Sequence, residues 1–228
     1  MRPAAIFDLD DTLYDREQFL QSSFAAVAAN VAGSCGVPAE WALATLRRAH
    51  GDGRAGMELQ ALCADHGLSD DMIESLVLVI REHRPSLVLA PGAADALRRL
   101  RAEGWRLGIL TNGLPATQRA KVEALAIEAM VDAVVYAEEH VPGGKPARAA
   151  FDAALEAIGA DPGHAVFIGD DLVRDVQGAR AAHLRTIRMA ADASARRVDG
   201  DADAVVSRLE DVPVAAAGLV KGAGAHAA

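Results

Sequence analysis

The segment AAIFDLDDTLYD, residues 4–15, runs an apolar stretch directly into four carboxylates: Asp8, Asp10, Asp11 and Asp15. Further along the chain, polar residues recur wherever an apolar run ends. Thr111 and Asn112 close ILTNG, Lys145 lies in VPGGKP, and Asp170 and Asp171 close AVFIGDD with Asp175 just behind. Taken singly, each has an ordinary explanation. An aspartate after a strand commonly caps the next helix, which suits Asp171 ahead of Leu172, and a loop lysine is usually solvated. Taken together they pose a charge problem. Several crowded carboxylates repel one another unless a cation or shared proton relieves them. Oxygen ligands without histidine or cysteine select a hard ion, Mg²⁺ before Ca²⁺ or Zn²⁺. Mg²⁺ is typically held by one or two carboxylates and a substrate phosphate. The hydroxyl of Thr111, the amide of Asn112 and the ammonium of Lys145 suit that phosphate.

These residues need elements that bring them to one place. Ala4–Leu9 is a short continuous apolar run, the pattern of a strand buried on both faces. Comparable runs predict strands over 105–113, 131–137, 165–171, 184–189 and around 204–206, separated by helical patterns at 93–102, 115–126 and around Phe151–Ile158. Strands alternating with helices imply a parallel sheet covered on both faces. In such sheets ligands bind beyond the carboxyl ends of the strands, where the polar residues fall.

Between the first strand and the rest lie about seventy residues of helical pattern, too many for a loop. Leu20, Phe24, Val27 and Val31 form one stripe, which Gly33 is expected to end. Val37-Pro38 opens a second helix with Trp41 and Leu46 on its apolar side. Met57, Leu59 and Leu62 mark a third, and Ser69 is the expected N-cap of a fourth. The fold class is therefore α/β: a Rossmann-like parallel sheet core (1–14 and 88–228) with an α-helical cap domain (15–87) inserted after the first strand. Hinges are expected near Tyr14-Asp15 and Leu87–Pro91. The C-terminal GAGAHAA is expected to fray.

A hydrophobic fraction of 51% with 24% charged residues is that of a globular protein. The net charge of −9, with lysines and arginines scattered, argues against nucleic acid as a partner. The two cysteines, Cys35 and Cys63, have no metal-binding or disulfide-framework spacing. No apolar run approaches the ~20 residues of a membrane span, and the first strand leaves no room for a signal peptide. A cytoplasmic protein is the expectation.

FDLDDTLYD resembles the first motif, DxDxT, of the haloacid dehalogenase-like (HAD) superfamily. ILTNG, GGKP and IGDDLVRD are similar to its second, third and fourth motifs, in the same order and with a cap-sized insertion between the first two. The resemblance implies a phosphatase. Asp8 would be the nucleophile that becomes an aspartyl-phosphate, and Asp10 the acid and base. Thr111 and Lys145 would hold the phosphoryl oxygens. Mg²⁺ would be bound by Asp8, the backbone carbonyl of Asp10, and Asp170, with Asp175 in support. The implied substrate is a small phosphorylated metabolite, such as a nucleoside monophosphate or a sugar phosphate. Two positions depart from the family pattern: Arg174, where a small polar residue is common, and His183, where a glycine often closes the helix.

Three other readings exist for this residue set. A hydrolytic 2-haloacid dehalogenase shares the nucleophile and cap but lacks the second aspartate, because halide departs without a proton. A phosphosugar mutase shares the acid, although its first motif commonly reads DLDG. A phospho-receiver or binding protein would be shorter, or would have lost Asp8 or Asp10. Substrate selection is expected in the cap and near the hinge, at Asp15, Arg16, Phe19 and the loop Gly51–Gly56, while Arg54 reads as an exposed loop residue and Trp41 as cap core. The oligomeric state is not encoded in any pattern here.

Overall fold

A computed structural model describes residues 2–190 and 202–223. The chain divides into two compact units, Met1–Asp15 with Val88–Ala228, and Arg16–Leu87.

The first unit is built on a parallel sheet that has six strands among the described residues. They are β1 (Ala4–Phe7), β2 (Arg106–Thr111), β3 (Ala133–Tyr136), β4 (Ala165–Gly169), β5 (Arg185–Met189) and β6 (Ala204–Val206). Their order is β3-β2-β1-β4-β5-β6. Every residue of β1 and β4 is buried, as the unbroken apolar runs require of strands covered on both faces. In the register, Phe7 lies opposite both Ile109 of β2 and Ile168 of β4. Asp8 continues the ladder through its N–H to the Ile168 carbonyl at 2.8 Å. Strands β1, β2 and β4 therefore end at one level, and the residues after them share one edge.

In the second unit, α1 (Arg16–Cys35), α2 (Ala39–Gly51), α3 (Glu58–His66) and α4 (Met72–Glu82) enclose a core that includes Phe24, Val27, Leu46, Leu62 and Leu76. Three expectations are revised here. Gly33 does not end α1, which runs on to Cys35. Ser69 does not cap α4; its hydroxyl accepts from the Asp71 N–H, and Asp71 occupies the cap position. Trp41 is not core but 60% exposed. Helix α2 buries Ala42, Thr45, Leu46 and Ala49, and Trp41 lies about 100° around the helix from Ala42.

The remaining helices of the first unit are α5 (Ala93–Ala102), α6 (Pro115–Ala124), α7 (Ala137–His140), α8 (Arg148–Ile158), α9 (Gly178–Ala181) and α10 (Val212–Ala223). Helix α8 lays Phe151, Ala154, Leu155 and Ile158 on the sheet, with Phe151 edge-on to Phe167 at 5.1 Å between ring centroids. Helix α10 packs against β4, β5 and α5. His183, after α9, takes a left-handed backbone at φ 65°, a conformation that glycine adopts without strain. No helix among the described residues is long and apolar enough to cross a membrane. The expected fraying of GAGAHAA falls almost wholly outside the described residues.

Candidate active site

Asp8 leaves β1 with little exposure, and Lys145 meets it from the loop before α8. The Lys145 ammonium lies 2.5 Å from Asp8 Oδ1 and 2.7 Å from Asp175 Oδ1, with only 2% of its side chain exposed. Asp175 sits on a π-helical turn, Leu172–Gln177, directly after β4. Such turns are rare and concentrate at functional sites. Asp171 caps this turn, accepting from the N–H groups of Val173 and Arg174 at 2.9 and 2.7 Å, and also pairs with the Arg174 guanidinium. Burial pushes its carboxyl up, but these partners outweigh it and hold the group below the usual carboxylate range.

Carboxylate oxygens of Asp8, Asp170 and Asp175 all lie within 4.8 Å of one another. If all three are ionised, the single Lys145 ammonium leaves two negative charges of the cluster uncompensated. The electrostatics reflect this excess. Asp8 is pushed up to about 7, by burial first and by the Asp175 charge, against the pull of Lys145. Asp170 is raised to about 6, by burial and then by its acidic neighbours Asp175 and Asp11. Lys145 is also raised: burial alone would lower it, but the two carboxylates prevail. The Asp8 and Lys145 shifts are compatible because one ammonium is shared between two carboxylates. A hard divalent cation fits this donor set, being all oxygen and short of positive charge.

Two glycines make the packing possible. A Cβ on Gly169, the last residue of β4, would run into the Asp175 carboxylate. Gly144, at φ +60°, lies where a Cβ would sit 2.5 Å from Asn112 Oδ1. That close approach serves a clamp: Asn112 Oδ1 accepts from the Lys145 N–H at 2.8 Å, and its Nδ2 donates to the Lys145 carbonyl at 2.9 Å. The Asn112 side chain was expected to bind phosphate. Both its ends are instead spent on the backbone of the lysine loop, and what it positions is Lys145.

The Asp10 carboxylate, expected as acid and base with only its backbone carbonyl toward the metal, is not among the three of the acidic cluster and meets a separate set of donors. Lys121 Nζ lies 2.7 Å from Oδ1, Gln118 Nε2 lies 2.9 Å from Oδ2, and the Tyr14 hydroxyl bonds Oδ1. Tyr14 reaches back because the chain turns tightly after β1, with Asp11 at φ 57° and Leu13 N–H bonded to the Leu9 carbonyl. Burial raises the Asp10 carboxyl, but Lys121 above all, with Tyr14 and Gln118, brings it below its ordinary value. Gln118 Nε2 also lies 2.5 Å from Thr111 Oγ1, which joins Asp10 to the residue that ends β2.

Gln118 and Lys121 are absent from the motif reading, yet the sequence carried a signal for them. With Val122 and Leu125 they form an i, i+3, i+4, i+7 stripe, and a helix that turns glutamine and lysine inward needs polar partners for them. They are only 2% and 6% exposed.

A family model for haloacid dehalogenase-like hydrolases matches residues 3–183. The chain belongs to this family. Among curated proteins, the glyceraldehyde 3-phosphate phosphatase of Methanopyrus kandleri is 28% identical over 208 residues, covering 83% of this chain and 84% of the relative. The human N-acylneuraminate-9-phosphatase is 30% identical over 203 residues, covering 80% and 79%. Among solved structures, a 2-haloacid dehalogenase from Pseudomonas syringae pv. Tomato DC3000 superposes with a TM-score of 0.67 at 27% identity, over 95% of this chain and 99% of the other. This HAD-like chain is thus similar in fold to a 2-haloacid dehalogenase and, at comparable identity, similar in sequence to phosphatases.

Proposed function

We propose that this HAD-like hydrolase is a Mg²⁺-dependent phosphomonoester hydrolase of small phosphorylated metabolites, acting through an aspartyl-phosphate on Asp8. The observation that carries the reading is the pairing of two carboxyl sites. One is a nucleophile-type carboxylate in a cation-seeking cluster, and the other is a separate carboxylate, two residues on, supplied with its own donors. Phosphatase relatives support it.

In the first half-reaction an Asp8 oxygen bonds to phosphorus as the ester P–O bond breaks. The departing oxygen takes a proton from Asp10 and leaves as an alcohol. In the second, Asp10 takes a proton from water as that water bonds to phosphorus. The bond to Asp8 breaks, releasing inorganic phosphate and restoring the carboxylate. Thr111 and Lys145 hold phosphoryl oxygens, and the lysine charge meets the negative charge developing on them. Asp8, Asp170 and Asp175 would hold Mg²⁺, which supplies further charge neutralisation for the phosphoryl group. Asp10 serves both half-reactions, as a general acid and then as a base.

The test is release of inorganic phosphate from a panel of phosphomonoesters, with Mg²⁺ or EDTA, for the native protein and Asp8→Asn. The expected result is turnover that requires both Mg²⁺ and Asp8. Phosphate release that survives Asp8→Asn would overturn the mechanism.

A further inference from the structure

Three donors converge on Asp10, and one of them does more than bond it. The single amide nitrogen of Gln118 spans two groups assigned to different tasks, Asp10 Oδ2 at 2.9 Å and Thr111 Oγ1 at 2.5 Å. We propose that Gln118 is a positioning residue that fixes the spacing between Asp10 and the Thr111 hydroxyl. Proton delivery to the leaving oxygen is thereby registered against the grip on the phosphoryl group. This rests on the function proposed above.

First, the Gln118 side chain is rigidly seated: the residue is 2% exposed on α6, which is anchored by the Leu114–Pro115 turn that follows β2. Second, a hydroxyl has one donor hydrogen and two acceptor sites. With an acceptor site of Thr111 taken by Gln118, its own hydrogen must point elsewhere. Its one other partner among the described residues is the Asn112 carbonyl at 3.5 Å, a contact long enough to be exchanged for a phosphoryl oxygen. Third, a carboxyl bonded at both oxygens is restricted in rotamer, and Asp10 is bonded at Oδ1 by Lys121 and Tyr14 and at Oδ2 by Gln118. Lys121 and Tyr14 bond Oδ1 while Gln118 bonds Oδ2, so Gln118 fixes the twist of the carboxyl plane from its second oxygen. Misplacement of a catalytic group by about 1 Å can cost ~10²-fold in rate.

The effect is readable because acid assistance matters most for poor leaving groups. The parameter kcat/KM reports only steps up to departure of the leaving group, so the later water attack does not contribute. The experiment compares kcat/KM for phenyl phosphate and p-nitrophenyl phosphate, two esters of similar shape, in the native protein, Asp10→Asn, Gln118→Met and Gln118→Glu. Methionine keeps the length and removes the donor. Glutamate can still accept from the Thr111 hydroxyl but repels Asp10.

Asp10→Asn is expected to lower kcat/KM far more for phenyl phosphate, since general acid catalysis typically contributes ~10²–10⁴-fold. Both Gln118 variants should show the same selective loss at reduced size, roughly tenfold greater for phenyl than for p-nitrophenyl phosphate. A Gln118 residue that merely supports the fold would depress both substrates equally. That outcome, or no loss, alongside a selective Asp10→Asn, overturns the inference and leaves the phosphatase reading intact. An Asp10→Asn variant without selectivity overturns the acid role itself, and the inference with it. Circular dichroism establishes that each variant is folded, and either Gln118 variant alone suffices for the decision.

Discussion

Replacing Lys145 with methionine keeps most of the side-chain stem and removes its charge. In the native protein that ammonium touches Asp8 Oδ1 at 2.5 Å and Asp175 Oδ1 at 2.7 Å. The two carboxylate side chains are only 10% and 2% exposed, so solvent cannot take over. Breaking a buried ion pair by deleting one partner costs about 3–5 kcal/mol, and two charged hydrogen bonds at about 1.5–3 kcal/mol each give a similar figure. The loss should depend on pH in a definite direction. Asp8 already has a folded-state value raised to about 7 from 3.8. A carboxyl raised on folding contributes stability that is fully present below its unfolded value and is lost as pH rises through its folded one. Without Lys145 the main force opposing that rise is gone. Lys145→Met should therefore be most destabilised near pH 8 and recover towards pH 5. Mg²⁺ should counteract the loss at high pH, a ligand at a hundred times its Kd contributing about 2.7 kcal/mol. The assay is urea denaturation from about pH 5 to 8, in EDTA and in Mg²⁺. A difference from the native protein that is constant with pH, or greater at pH 5, would refute the argument that excess negative charge dominates this site.

Gly169→Ala places a methyl group where the Asp175 carboxylate sits. It should reduce the response of stability to Mg²⁺ while costing about 1–3 kcal/mol, as measured by thermal melts with and without the ion. In the helical unit, His50 Nδ1 lies 2.9 Å from Glu58 Oε1, and its Nε2 lies 3.4 Å from Glu17 Oε2. The Glu58 bond, against the opposing effect of burial and with help from the charges of Glu17 and Glu58, raises the His50 value. A histidine raised on folding contributes stability that is present below its unfolded value near 6.5 and is lost as pH climbs through the folded one. The stability advantage of the native protein over His50→Gln should accordingly shrink between about pH 6 and 8, and an advantage that grows with pH would contradict the pairing.

The sheet was legible because parallel strands buried on both faces have no polar alternation to disguise them. The apolar run at Ala165–Gly169 has the same signature as the run at Ala4–Phe7. Where tertiary context takes over, pattern is a weaker guide. Trp41 is apolar and adjacent to the stripe of α2, but a helix face is set by angle and not by residue type, and Ala42 takes the buried place. Helix α10, PVAAAGLVKG at its centre, has too little contrast between small apolar residues to announce a period. In the candidate site, residue types at strand ends carried the motif reading, and chemistry between side chains distant in sequence did not show. Asn112 looked like a phosphate ligand because an amide after a strand can be one. Only the positive-φ glycine at 144 and the backbone of Lys145 reveal that its two ends are already engaged. Gln118 and Lys121 stood outside every motif, and what they bind, Asp10, lies 108 and 111 residues away.

The fold does not by itself select the reaction, since a 2-haloacid dehalogenase superposes on nearly the whole chain. What separates the two chemistries is the fate of the leaving group. A halide departs as a stable anion and asks nothing of a proton donor, whereas an alkoxide departs with difficulty unless protonated. A second carboxylate beside the nucleophile would be an expensive residue to bury in a dehalogenase, because an ionised group withdrawn from water must be compensated. Here Asp10 is compensated: an ammonium, an amide and a phenol all bond it, two of them delivered by a helix that must turn a glutamine and a lysine inward to do so. That investment favours the ionised carboxylate and so keeps a proton acceptor, which becomes the donor once protonated, two residues after the nucleophile. It is the physical reason for reading this member of the family as a phosphatase.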